Sequence, residues 1–79
     1  DELGLEATLL VQCKNWSSPA GPDVIRELNG VLPRDGRPVR GMVACPGGFT
    51  EEAIRFADAN HIILWGPNEL KQRLRTGQV

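Results

Sequence analysis

The 79-residue sequence is poor in features that mark several large classes of protein. No stretch approaches the ~20 apolar residues that a bilayer-spanning helix needs. No basic-then-apolar leader is present, so we expect a cytoplasmic protein. The two cysteines and the one histidine are too far apart to form a zinc-binding pattern. In a chain that is not exported, we expect Cys13 and Cys45 to be reduced and buried.

An excess of positive charge is also lacking, since the net charge is −1. The total therefore gives no support for nucleic-acid binding, because compact nucleic-acid binders are often visibly basic. Local clusters of arginine remain candidate DNA contacts. Arg34, Arg37 and Arg40 surround a predicted loop and could contact DNA, although solvated surface charge is the more common explanation of such a cluster. The segment CPGGFT lacks the lysine of a phosphate-binding loop, so nothing supports a small-molecule nucleotide site.

Residues 5–16, LEATLLVQCKNW, have the pattern of a β-strand. Alternate side chains point to opposite faces of a strand, so the wholly apolar set that includes Leu9, Val11 and Cys13 predicts the core face. The other face starts polar, passes Leu10, and ends in Gln12 and Lys14.

Helical and strand patterns alternate through the remaining sequence. PDVIRELNGVL has one apolar helical stripe, GMVACP predicts a buried strand, and HIILW predicts a strand covered on both faces. Thr50 is a predicted helix N-cap, in a helix that should bury Ala53, Ile54 and Ala57. The order β-α-β-α-β-α predicts an α/β fold, with a small, mostly parallel sheet and flanking helices.

The glutamine and lysine at the end of the first strand are the candidate site. Ligands of β-α-β sheets collect at the carboxyl ends of strands, and residues two apart on a strand share a face. A lysine can hold an anionic oxygen, and a glutamine carbonyl can coordinate a hard cation such as Mg2+. Gln12 and Lys14 therefore suggest half of a nuclease site, while a polar strand end remains an alternative explanation.

An ordered set of motifs gives this site a family context. LLVQCKNW is followed by GPDVIRELNGVL, and then by GMVACPGGFTEEAIRFADANHIILWGPNELKQRL. Together they resemble the Mrr-like branch of the PD-(D/E)xK endonucleases, which have the restriction-endonuclease-like fold and are related to type IV restriction enzymes. The resemblance covers residues 5–75 and implies Mg2+-dependent cleavage of DNA.

The resemblance assigns a role to each residue of the candidate site. Lys14 falls on the catalytic lysine, and Gln12 on a catalytic residue that also binds the metal. The remaining acidic ligand should lie on a preceding strand. Asp1 is a candidate, but the turn-former Gly4 would place it beside Ala7 or Thr8 rather than Gln12. We therefore expect residues 1–79 to form a single domain, a partial restriction-endonuclease-like core without its N-terminal helix and first strands.

Two further expectations concern partners. Trp16 could stack on a DNA base, although packing also explains a tryptophan there. The alternative to a nuclease is a catalytically inactive module that keeps the fold and uses it to dimerise or to bind a partner. An incompletely covered sheet invites such association, so we expect a homodimer.

Overall fold

The alternating pattern of the sequence produces three strands and three helices. The computed structural model describes residues 8–77, with side chains as far as residue 72. The elements are, in chain order, β1 (Thr8–Cys13), α1 (Pro22–Val31), β2 (Val39–Ala44), α2 (Glu51–Ala59), β3 (Ile63–Trp65) and α3 (Pro67–Gly77). The predicted β-α-β-α-β-α order is confirmed.

The three strands form one parallel sheet in the order β1-β2-β3. In β1, Thr8 lies beside Val39 and Cys13 beside Ala44, and β3 pairs with the other side of β2. Parallel pairing follows from the helical crossovers, because two parallel neighbours need a long connection between them. The predicted α/β class, a small parallel sheet with flanking helices, is therefore confirmed.

The core lies between β2 and the first two helices. Ile25 and Leu28 of α1 and Val43 of β2 are fully buried, and each contributes ~1.5–3 kcal/mol through removal of apolar surface from water. Ala53 and Ala57 allow α2 to pack closely on the same cluster. Gly41 lies close to α1, since an added Cβ would come within 3.0 Å of Leu28 and 3.1 Å of Leu32 and their side-chain ends would have to shift.

Helix α2 begins as its sequence predicts. The Thr50 hydroxyl accepts a hydrogen bond from the Ala53 amide at 3.1 Å, which satisfies one of the free N–H groups of the first turn. Glu51 and Glu52 follow in that turn, where negative charge is favourable next to the helix N-terminus.

Four predicted burials are wrong. Leu9 and Val11 of β1 are 49% and 46% exposed, Cys13 is exposed, and Ile54 of α2 is 49% exposed. The reason is the same for the three β1 residues: they share the face of the sheet opposite the one on which Gly41 and Val43 meet α1 and the core, so helices α1 and α2 do not cover them. Only the second cysteine, Cys45, is buried, and both cysteines are free. No helix among the described residues is long and apolar enough to cross a membrane.

Candidate active site at the end of the first strand

Gln12 and Lys14 lie where β1 reaches the carboxyl rim of the sheet. Gln12 is beside Val43 in the β1–β2 register, and the Lys14 amide donates to the Ala44 carbonyl at 2.9 Å. The hydrogen bonding of the sheet thus continues one residue beyond β1 and fixes the backbone that carries Lys14. Both side chains are half-buried.

Lys14 borders an open cavity of about 200 Å3. Its walls come from three segments that meet at the rim: the end of β1, the end of β2 and the first turn of α3. The lining residues are Cys13, Lys14, Asn15, Ala44, Pro46 and Leu70. Asn15 and Leu70 were not among the predicted site residues, because the resemblance assigns roles only to Gln12 and Lys14 in this stretch and Leu70 is distant from them in the chain.

The polar groups of Gln12 and Lys14 remain available to a ligand. Within the described part of the chain, neither side chain forms a hydrogen bond with another residue, and Lys14 has no ion pair. The Lys14 ammonium does lie over the Trp16 ring, whose centroid is 5.5 Å from Nζ. Among residues 8–72, no carboxylate neutralises Lys14, and its half-buried side chain is not sealed beneath apolar groups.

The loop after β1 is anchored by the loop after β2. The buried Cys45 thiol, a single weak donor, shares its proton between the carbonyls of Trp16 and Ser18, both 3.8 Å from Sγ. Ala20 N–H donates to the Gly48 carbonyl at 2.9 Å. The two loops also approach so closely that a Cβ at Gly47 would overlap the Ser18 carbonyl. These contacts fix the path of residues 16–20, and they explain why Cys45 and Gly47 matter to the site without touching it.

The structure does not bring the predicted arginines to this rim. Arg34 and Arg37 lie in the loop before β2, and Arg40 lies at its start. Because β1 and β2 are parallel, this cluster sits at the opposite end of the sheet, about 20 Å from Lys14 for strands of this length. It cannot form one compact site with Lys14.

One of these arginines is already paired. Arg37 Nε donates to both carboxylate oxygens of Asp35, at 3.0 and 2.9 Å. This hydrogen bond and a second one from the Arg37 backbone hold the pKa of the Asp35 carboxyl below its ordinary value. Arg34 reaches the Asn29 carbonyl at 3.4 Å, and Arg40 is exposed.

The described residues do not by themselves form a metal centre. Within residues 8–77, no group of three or more histidine, cysteine, aspartate or glutamate side chains is placed to hold a metal ion. Gln12 would therefore supply a single neutral oxygen ligand. Asp1, the acid considered in the sequence, lies outside the described residues.

A second cavity, of about 320 Å3, lies beside α2 and the start of α3. Phe49, Ile54 and Leu64 supply apolar walls. Its one carboxylate is that of Glu69. This group accepts a hydrogen bond from the Gly66 amide at 2.8 Å, at the N-terminus of α3. Lys14 does not border this cavity, which has no reactive side chain besides that carboxylate.

Comparison with known proteins gives one match. A family model described as restriction endonuclease, Mrr_cat, matches residues 1–74, nearly the whole chain. No curated protein and no solved structure matches the chain significantly.

Proposed function

The chain belongs to the Mrr restriction endonuclease family, and from this membership we propose that it acts in the hydrolysis of phosphodiester bonds in DNA. The family expected from the order of sequence motifs is thereby confirmed. The proposed reaction takes place at the carboxyl rim of β1, next to the cavity that Lys14 borders.

The observation that carries the proposal is the state of the Lys14 side chain. Lys14 borders an open cavity at the rim, and its ammonium group has no carboxylate partner among the described residues. A phosphate oxygen can approach such a group without first displacing an internal ion pair. In the reaction, Lys14 would stabilise the negative charge that grows on the phosphorus oxygens, or hold the attacking water.

Gln12 has a supporting role in this proposal. Its side-chain carbonyl offers an oxygen without adding charge, which suits either a water molecule or a Mg2+ ion. Since the described residues do not complete a metal site, we assign no step to a metal. We propose that the acid which completes the site precedes Gln12 in sequence and lies on a strand that pairs with the outer edge of β1.

DNA contacts are proposed at two separate places. Lys14 and the half-exposed Trp16 would meet the strand that is cut. Arg34 and Arg40, at the other end of the sheet, would contact a different stretch of backbone, and Arg37 contributes less because Asp35 already neutralises it.

A plasmid-nicking assay tests the proposal. Supercoiled DNA is incubated with the protein in Mg2+, Mn2+ or EDTA, and wild type is compared with Lys14→Ala. We expect nicking by wild type and its loss in the variant. The matched control is Arg55→Ala, which removes an exposed positive charge from α2 and should nick like wild type. Equal nicking by wild type and Lys14→Ala would remove Lys14 from the proposed site.

A second candidate function, dimerisation, is favoured by the apolar surface of β1. Leu9, Leu10 and Val11 are all exposed, and no charged residue lies between Thr8 and Cys13. An edge strand without charges is open to pairing with another strand. In this alternative to the nuclease proposal, we propose that a second copy of the chain, rather than an upstream strand, pairs with that edge. A stable dimer that neither binds nor cuts DNA would favour this role over catalysis.

A further inference from the structure

We propose that Trp16 is a positioning residue for Lys14: its indole ring holds the lysine ammonium at the carboxyl rim of the sheet. The inference rests on the proposed catalytic role of Lys14 and adds a second residue to that site. It concerns the ring of Trp16 as a partner of the lysine, which is distinct from stacking on a DNA base.

A tight turn brings the two side chains together. The Trp16 amide donates to the Lys14 carbonyl at 2.8 Å, so the chain turns back at Asn15. The ammonium nitrogen consequently lies 5.5 Å from the centre of the indole ring. This separation is within the range in which the negative face of an aromatic ring attracts a cation, and tryptophan is the strongest of the three aromatic partners.

The backbone that carries the Trp16 ring is anchored by Cys45. The Cys45 thiol shares its one proton between the Trp16 and Ser18 carbonyls. Since Cys45 is fully buried, this anchor is part of the core. A flexible lysine side chain is thus placed against a ring whose backbone is tied to the core.

The choice of an aromatic partner has a chemical consequence. A carboxylate partner would hold the ammonium equally well, but it would also neutralise the charge that a phosphate requires. An aromatic face attracts the cation and leaves its N–H donors free. Trp16 is 44% exposed, so it contributes less to the core than a buried tryptophan would. Its position is explained better by the lysine than by packing.

Proton NMR tests the contact without any cleavage measurement. The ring current of Trp16 should displace the Lys14 ε-methylene resonances upfield in wild type. The displacement should persist, reduced, in Trp16→Phe and vanish in Trp16→Leu, whereas the Lys71 resonances should stay unchanged in all three. Unshifted Lys14 resonances in wild type would overturn the proposal, even if the leucine variant failed to fold.

Steady-state cleavage then tests the consequence. Trp16→Leu should lower kcat about 10-fold or more, because a misplaced catalytic group slows the chemical step, while a rise in KM reports the separate loss of the Trp16 contact with DNA. Trp16→Phe should restore most of the rate. An unchanged kcat in Trp16→Leu would contradict a positioning role. If Lys14→Ala itself cleaves like wild type, the proposed function fails, whereas the NMR shift still decides whether Trp16 holds the lysine.

Discussion

At the scale of single residues, the site depends on a position where no side chain can be accommodated. Gly47 lies directly against the backbone of Ser17 and Ser18, in the loop that carries Trp16. Its neighbour in that loop is backbone, which cannot move aside as a flexible side chain would. The close approach lets the loops after β1 and β2 support each other.

Gly47→Ala should therefore lower the free energy of unfolding by ~1–3 kcal/mol, the usual range for forcing extra atoms into a packed site. Urea denaturation measures this change. Gly30→Ala is the matched control, because a Cβ there meets nothing within 4 Å. In the helix α1 that substitution should instead stabilise by ~0.5–1 kcal/mol. Equal stability of the Gly47 variant and wild type would refute the close approach.

The arginine cluster gives a second prediction at this scale. Because the Arg37 side chain lowers the pKa of the Asp35 carboxyl, Arg37→Ala should move that pKa upward, toward its ordinary value. A pH titration of the Asp35 carboxyl carbon by NMR measures the effect. Arg34→Ala should leave it unchanged, since Arg34 binds the Asn29 carbonyl. An Asp35 pKa that is the same in wild type and in Arg37→Ala would show that the pair does not form in solution.

At the scale of elements, the N-cap of α2 is the clearest link between sequence and structure. Thr50→Ala should destabilise the protein by ~1 kcal/mol, because the Ala53 amide loses its acceptor. Thr50→Ser keeps a hydroxyl at the same position and should stay close to wild type. Thermal or urea unfolding of both variants measures this difference. If Thr50→Ala and Thr50→Ser lost similar amounts of stability, the threonine methyl group rather than the cap would be responsible.

Much of the fold follows from sequence because local chemistry specifies it. Pro22 and Thr50 define the starts of two helices, and the spacing of Val24, Ile25 and Leu28 predicts the buried side of α1. Alternation of helices and strands then implies parallel pairing. These features depend on residues close together in the chain.

Burial could not be predicted as well, because it depends on which elements lie next to each other. Val11 and Cys13 alternate like core residues, but whether their face is covered depends on the neighbours of β1. Val31 fits the apolar stripe of α1 and is nevertheless 66% exposed at the end of the helix. The cavity beside Lys14 was missed for a similar reason, since Leu70 reaches it from the last helix.

At the scale of the whole molecule, the outer edge of β1 is the proposed contact between copies of the chain. Val11→Lys places a charge on that edge and should shift a dimer toward monomer in sedimentation velocity runs. Val31→Lys is the control, because it replaces an exposed valine away from the sheet edge. Dimerisation that survives Val11→Lys but not Val31→Lys would move the interface from β1 to the end of α1.

The most direct test of the central claim, that Lys14 is the catalytic lysine of a DNA-cleaving rim, is single-turnover cleavage of a duplex at saturating protein. Binding is then complete, so the rate reports the chemical step alone. We predict that Lys14→Ala lowers this rate by ~10²–10³-fold, the usual effect of removing one group that stabilises transition-state charge. A Lys14→Ala rate equal to that of wild type would contradict the claim.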